Sequence, residues 1–286
     1  MKNTILTIAL CLGLVTSAQQ EDFGNVDFSF SGGFMGNTSQ GLTLEEYRSL
    51  HPNSPILNKD LSNLSNSNDT YYNTSPLFNL DYGFRLKKNT NLERKIRIGI
   101  SYRNYSSDNN GYYYSDSNPY DTLTSSQSGE EFYIDSSYTE SLFFESYGQQ
   151  LGLDFAYLFY TNPNGRWSFY TGFGAELGIG FNNKLNIVQT SYSGTSYNSN
   201  YYAPYINDYE TNFYEEETYN QNNTYYGRLY APIGLDFRIS KKHEFWKRMH
   251  LYTEFKPMVE IKSNELKDVQ FNPGFGWSTF GLRFEF

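Results

Sequence analysis

Residues 167–181 read WSFYTGFGAELGIGF, and they decide the fold. Trp167, Phe169, Phe173, Ala175, Leu177, Ile179 and Phe181 alternate with Ser168, Tyr170, Gly172, Gly174, Glu176, Gly178 and Gly180. A period of two is the signature of a strand with one apolar face, and no helix keeps it. The other face is unusual, being rich in glycine with one acid among the small residues. A strand facing water carries Lys, Glu and Thr there more often than glycine.

Seven further segments repeat the pattern. Their apolar faces are Val26, Phe28, Phe30 and Phe34; Phe78, Leu80, Tyr82, Phe84 and Leu86; Ile96, Ile98, Ile100 and Tyr102; and Leu151, Leu153, Phe155, Tyr157 and Phe159. Beyond residue 181 come Leu229, Ala231, Ile233, Leu235, Phe237 and Ile239; Met249, Leu251, Phe255, Val259 and Ile261; and Phe280, Leu282, Phe284 and Phe286. The opposite faces hold nearly all the strand charge. Acids there are Asp81, Asp154, Glu176, Asp236, Glu254, Glu260 and Glu285, and bases are Arg85, Arg97, Arg103, Arg228, Arg238, Lys256, Lys262 and Arg283. Charges so nearly balanced in a narrow interior must pair, because burying an unpaired charge is prohibitive.

The connections alternate in length. Short ones fall near 87–93, at 161–165 (Thr-Asn-Pro-Asn-Gly) and near 240–248; longer ones span roughly 37–76, 106–140, 183–224 and 263–270. This is an up-and-down meander with one tight rim and one rim of loops. Within the first long connection, GLTLEEYRSL (41–50) predicts a short helix, with Thr43 as its cap and Glu46 three residues on.

Two barrels fit this alternation: a soluble one with apolar residues inward, or a transmembrane one with them outward against lipid. The glycine-rich, charge-balanced face, the loop asymmetry and the aromatic last residue all favour the second. The expected fold is all-β: an eight-stranded antiparallel up-and-down transmembrane β-barrel with long extracellular loops. Even strand number places both termini on the short-turn, periplasmic side.

Residues 1–18 read as a secretory signal, with Lys2 at the start, an apolar segment Ile5–Val15 and Thr16-Ser17-Ala18 for cleavage. Residues 19–286 then form a single barrel domain. The lone cysteine, Cys11, lies in the signal, which excludes disulfides and thiolate chemistry from the mature chain. No later apolar run approaches the roughly 18 residues of a helical span. The formal charge of −9 argues against nucleic acid as a partner. Aromatics reach 19% in a chain of 286 residues, from 28 Tyr, 23 Phe and 3 Trp, too many for simple disorder.

With Phe280, Leu282, Phe284 and the terminal Phe286 on one face, the chain resembles the small outer-membrane β-barrel proteins, in particular OmpA/OmpX-like barrels of Bacteroidota type. The Tyr/Asn-rich loops and the Ala-Gln-Gln junction fit that resemblance. It implies that the C-terminal residues Phe280, Leu282, Phe284 and Phe286 form a signal read by the barrel assembly machinery, and that outer-membrane lipid surrounds the wall.

The lumen charge network is expected to comprise Asp81, Arg85, Arg97, Asp154, Glu176, Arg228, Asp236, Arg238, Glu254, Lys256 and Arg283. Eight strands leave an interior that side chains just fill, so the lumen is expected to be occluded. The loops are acidic and rich in tyrosine. Tyr112, Tyr113, Tyr114, Tyr201 and Tyr202 offer amphipathic contact area for a protein partner, and Glu215-Glu216-Glu217 is the densest acidic cluster. Three consecutive strand residues do not all face one ion, so no metal or other cofactor is expected. Only His51, His243 and His250 are available for acid–base work, and no nucleotide, HExxH or EF-hand pattern occurs. The expectation is therefore a non-enzyme: a surface-interaction protein or an accessory subunit of an outer-membrane assembly. The alternative is a narrow, porin-like channel for small solutes.

Overall fold

The period-two segments all become wall strands of one sheet. The computed structural model describes residues 24–40, 42–66, 70–88, 92–124, 126–127, 129, 131–161, 165–198, 208–262 and 270–286. The signal segment and Tyr201 and Tyr202 lie outside them. In chain order the elements are β1 (Gly24–Gln40), α1 (Leu44–Leu50), β2 (Ser65–Asn66), β3 (Thr70–Lys88), β4 (Leu92–Thr124), β5 (Glu131–Thr161) and β6 (Trp167–Asn198). There follow β7 (Asp208–Asn220), β8 (Thr224–Tyr230), β9 (Ile233–Arg238), α2 (Glu244–Lys247), β10 (Met249–Lys262) and β11 (Gln270–Glu285).

The ring runs β1, β3, β4, β5, β6, β8 with β9, β10 and β11, every neighbour antiparallel. β8 and β9 are one wall strand broken at Ala231–Pro232, since both pair with β6 on one side and β10 on the other. Proline has no N–H to give the ladder. The ring closes where β1 meets β11, with Phe28 opposite Phe284 and Phe30 opposite Leu282. The backbone N–H of Phe286 donates to the Val26 carbonyl at 2.8 Å, fastening the last residue to the first strand. Eight wall strands in an up-and-down ring match the fold expected from the sequence.

Burial is inside-out relative to a soluble barrel. Phe30, Phe78, Leu80, Ile98, Ile100, Leu153, Phe155, Phe169, Phe173, Leu177, Leu229, Ile233, Phe255 and Phe280 are 42–70% exposed on the outer wall. Asp81, Arg97, Asp154, Glu176, Arg228, Asp236, Glu254, Lys256 and Arg283 are all buried inside. An exposed apolar belt of this size has to be covered, and a closed ring satisfies every wall backbone group without water. The protein is therefore an integral β-barrel of the outer-membrane type. Among the described residues no helix is long and apolar enough to cross a membrane.

Much of two long connections is strand rather than loop. β4 and β5 continue beyond the belt to Thr124 and back from Glu131, and β6 rises to Asn198 with β7 paired against it. The sequence assigns 106–140 and 183–224 to loops because the alternation is lost there. Among the described residues four irregularities interrupt these ladders, including ones at Pro119–Asp121 of β4 and opposite Ser191–Tyr192 of β6, and two of them lie where the strands leave the belt. One falls between Asp108 and Asn110 of β4. The other sets Phe181 opposite Gln149 but Lys184 opposite Tyr147, one residue extra on β6, with Asn182 at φ 53°. A bulge of one residue exchanges the two faces of a strand. Below it Glu176 and Gly180 face inward; above it Asn183, Leu185 and Ile187 do. Another irregularity, at Ser278–Thr279 of β11, lets Phe271 and Trp277 face outward on odd numbers while Phe280 does so on an even one.

Candidate functional site

Three tiers of paired charge face the lumen. At the short-turn end, Lys95 Nζ stands 2.7 Å from Asp27, 3.1 Å from Glu93 and 3.3 Å from Glu285. Arg85 Nε lies 2.9 Å from Glu93. Arg283 reaches Asp236 at 3.1 Å and donates to the Tyr160 hydroxyl at 2.9 Å, and Asp236 is 2.6 Å from His250 Nδ1. Arg238 meets the same cluster through His250 Nε2 at 3.3 Å and Glu285 at 3.7 Å.

In the middle tier Arg97 clasps Glu254 through both terminal nitrogens, at 2.7 and 2.9 Å. Lys256 lies 3.3 Å from Glu254 and 3.7 Å from Asp154, which also accepts the Tyr230 hydroxyl at 2.7 Å. Asp81 is buried beside Arg97 and Lys256, although its Oδ1 has no hydrogen-bond partner among the described residues. In the third tier Arg228 donates to Glu176 at 2.7 Å, to Glu260 at 2.8 Å and to Gln150. Charge-assisted bidentate bonds of this kind fix side chains in place as well as neutralising them.

All eleven residues of the expected lumen network thus sit inside the barrel, and ten of them join the ion-pair clusters. The same parity extends to Asp27, Glu93 and Lys95, near the first residues of β1 and β4, which are absent from the network expected from the sequence. Tyr226 is a second omission: it is buried and its hydroxyl donates to Glu176 at 3.0 Å.

Glycine makes room for these tyrosines. The Tyr230 ring lies over Gly174 on the neighbouring strand and the Tyr226 ring over Gly178, so that a Cβ on either glycine would run into the ring. Tyr170 over Gly234 and Tyr252 over Gly281 repeat the arrangement. The glycine-rich face of residues 167–181 is therefore a floor on which inward-facing tyrosine rings rest. One gap among them, lined by Asp27, Lys95, Arg97, Tyr160, Tyr170 and Arg283, has a volume of about 10 Å³, about one water molecule.

Above the belt a second, apolar core replaces the ionic one. Tyr47 of α1 stacks on Phe144 of β5 with centroids 3.8 Å apart. Ile56, Leu57 and Leu61 pack with Tyr112, Leu142, Leu185 and Ile187. α1 starts as its sequence predicts, with the Glu46 N–H donating to Thr43 Oγ1 at 3.2 Å and the Thr43 N–H to Glu46 at 2.7 Å. Glu217 of β7 holds the strap of chain that follows, accepting from the Ser54 hydroxyl at 2.5 Å and the Ile56 N–H at 2.9 Å. Glu215 pairs with Lys59. The segment 42–66 is thereby clamped over the long-loop end of the barrel.

The acidic triplet divides by strand parity. Glu215 and Glu217 face the strap, while Glu216 faces the other side. There the Tyr214 hydroxyl donates to Glu216 at 2.6 Å and Asn186 Nδ2 donates at 2.8 Å. These two bonds hold the Glu216 carboxyl below its ordinary range, the tyrosine bond contributing most, and the same bond pushes the Tyr214 hydroxyl up. Among the described residues no group of three or more His, Asp and Glu stands close enough to hold a metal ion. Of the loop tyrosines, Tyr112 is buried in the apolar core, Tyr113 rests against Phe143 at 5.2 Å, and Tyr114 is 6.3 Å from Tyr138. Phe280 and Phe286 are exposed on the outer wall, with Leu282 and Phe284 half-buried beside them.

β4 to β7 form a sheet that projects beyond the ring. Among the described residues β7 pairs only with β6, which leaves its other edge open. Tyr214, 59% exposed, stands on that strand.

No protein-family model matches the chain, and no curated protein matches it. Among solved structures it is similar to Ail, the attachment invasion locus protein of Yersinia pestis crystallised with the heparin analogue sucrose octasulfate: 14% identity over 91% of this chain and 99% of that one, TM-score 0.24. A second likeness is to OmpT, an outer-membrane protein of Vibrio cholerae, at 9% identity over 94% and 99% of the two chains, TM-score 0.12. At these scores the barrel rests on its own strand ring and apolar belt.

Proposed function

We propose that the protein is a non-conducting outer-membrane barrel whose work is surface contact, carried by the sheet that projects from its long-loop end. In this reading residues 1–18 direct export, the termini and short turns lie in the periplasm, and β4–β7 stand outside the cell. The observation that carries it is the open edge of β7. An edge strand with free N–H and C=O groups is a template for another chain unless it is blocked. Here it holds no proline or lysine, and exposed Phe213 and Tyr214 stand on it among carboxylates such as Glu210 and Glu216, a combination that suits a partner strand carrying basic residues. The three tiers of paired charge, with the strap clamped above them, support an occluded lumen.

Two measurements test this. In planar bilayers the refolded protein is expected to give no stable unit conductance; a reproducible open channel would overturn the occlusion and favour small-solute transport instead. In cells, a photo-cross-linking residue at Tyr214 should trap a protein adduct that the same residue at Leu177, on the lipid face, does not. Adducts absent at Tyr214 and at its neighbour Thr211 would remove the case for a binding edge.

A further inference from the structure

The turn between β9 and β10 has a composition opposite to the rest of the chain. Residues 240–248 read SKKHEFWKR: Lys241, Lys242, Lys247 and Arg248 against one acid, Glu244, in a protein with 31 acids and 22 Lys plus Arg. The turn is anchored to the wall. The Ile239 N–H donates to Met249 O at 3.0 Å, and the Glu285 N–H donates to Arg248 O at 2.8 Å. Its tip is the single helical turn α2, which buries none of its residues. Phe245 is 65% exposed and Trp246 45% exposed, their rings edge to face at 5.2 Å. All four bases are exposed as well; Lys247 has only a loose contact with Glu244 at 3.7 Å.

Two large aromatic side chains left in water at a fixed, wall-anchored position need a partner. The position says which. The adjoining rim of the belt is itself aromatic and basic: Trp167 packs on Phe237 at 4.4 Å, and the Arg166 guanidinium lies over the Phe237 ring at 4.7 Å. A bilayer interface receives amphipathic aromatic rings, and an anionic headgroup layer attracts Lys and Arg placed beside them. A soluble polyanion would satisfy the charges but leave Phe245 and Trp246 exposed. We infer that the turn 240–248 is an interfacial anchor, Phe245 and Trp246 entering the headgroup boundary and Lys241, Lys242, Lys247 and Arg248 holding anionic phospholipid at this corner of the barrel. The inference rests on the barrel spanning a bilayer, and not on which way round it does so.

The test uses the full chain refolded in nanodiscs of phosphatidylcholine with phosphatidylglycerol, in two single-tryptophan forms. One keeps Trp246 (Trp167→Phe, Trp277→Phe); the other keeps Trp277 as a belt control (Trp167→Phe, Trp246→Phe). Each is measured with the bromine carried either by the glycerol lipid or by the choline lipid. Trp246 fluorescence is expected to be quenched severalfold more by brominated phosphatidylglycerol than by brominated phosphatidylcholine at equal mole fraction, while Trp277 shows a ratio near one. Lys241→Gln, Lys242→Gln, Lys247→Gln and Arg248→Gln together should bring the Trp246 ratio to one without abolishing quenching. Trp277 quenched but Trp246 untouched would overturn the anchor and leave the barrel standing. A Trp246 ratio of one in the parent would overturn the anionic preference. If neither tryptophan is quenched, the membrane reading falls with it.

Discussion

Arg228 lies between Glu176 and Glu260 and donates to both, at 2.7 and 2.8 Å, so that one guanidinium ties β8 to its two neighbours, β6 and β10, on the lumen face. Arg228→Ala would leave two buried carboxylates without their counter-charge, which costs about 3–5 kcal/mol. The expected result is a lower unfolding midpoint in urea and loss of the compact electrophoretic form at lower temperature. Arg228→Lys should recover only part of it, since an ammonium lacks the two-pronged geometry. An unchanged midpoint in Arg228→Ala would show that this pair contributes nothing.

Tyr230 and Gly174 form a coupled unit. Gly174→Val drives a side chain into the ring and should cost about 1–3 kcal/mol, as overpacking does. Adding Tyr230→Ala removes the clash, so the double variant is expected to be more stable than additivity predicts. Strict additivity in the double-mutant cycle would count against the glycine floor.

The cap can be loosened without opening the barrel. Phe144→Ala removes the partner of Tyr47 and should destabilise the apolar core above the belt by about 3–5 kcal/mol. Hydrogen exchange is the discriminating measurement: faster exchange is expected in α1 and at Ile56–Leu61, with the wall strands unchanged. Uniform acceleration would mean that the two cores unfold as one.

Glu216 gives a pH signature. Its carboxyl titrates below the ordinary value because Tyr214 and Asn186 donate to the charged form. For a lowered acid, the stabilisation is present above the ordinary carboxylate value and lost as pH falls through the folded one. Carboxyl NMR of the refolded protein should therefore place the Glu216 midpoint low, and Tyr214→Phe should move it back up. A midpoint indifferent to Tyr214→Phe would reject the hydrogen bond as its cause.

The last residue is expected to matter for assembly rather than for the finished wall. Deleting Phe286 removes one backbone bond to Val26 and one exposed ring. Membranes of cells expressing the deletant should contain less heat-modifiable barrel. Normal amounts would argue against Phe280, Leu282, Phe284 and Phe286 as an assembly signal.

The barrel was legible because a wall strand obeys a single rule, apolar outward and charged or small inward, and residues 167–181 depart from it only at Thr171, which faces outward, and Tyr170, which turns inward. The lumen charges follow by parity alone. Their partners do not, because Arg97 and Glu254 are 157 positions apart and which acid meets which base depends on the stagger of the ring. The projecting sheet was only partly legible. Extra residues at Asn109 and at Asn182–Asn183 exchange the faces of β4 and β6, so a pattern read straight through them dissolves. The strap was legible only in its helix, where Thr43 and Glu46 mark the start by local chemistry. Ser54 and Lys59 gave no sign that Glu217 and Glu215 would hold them.

Asn182 and Asn183 also draw a waterline. On one side of them β6 shows its greasy face to the surroundings, and on the other it hides that face under the strap, although the chain never leaves its strand. The upper limit of the greasy wall on β6 is thus written into backbone register as well as into its side chains. Sliding the extra residue by two positions would raise or lower the hull and leave the composition untouched.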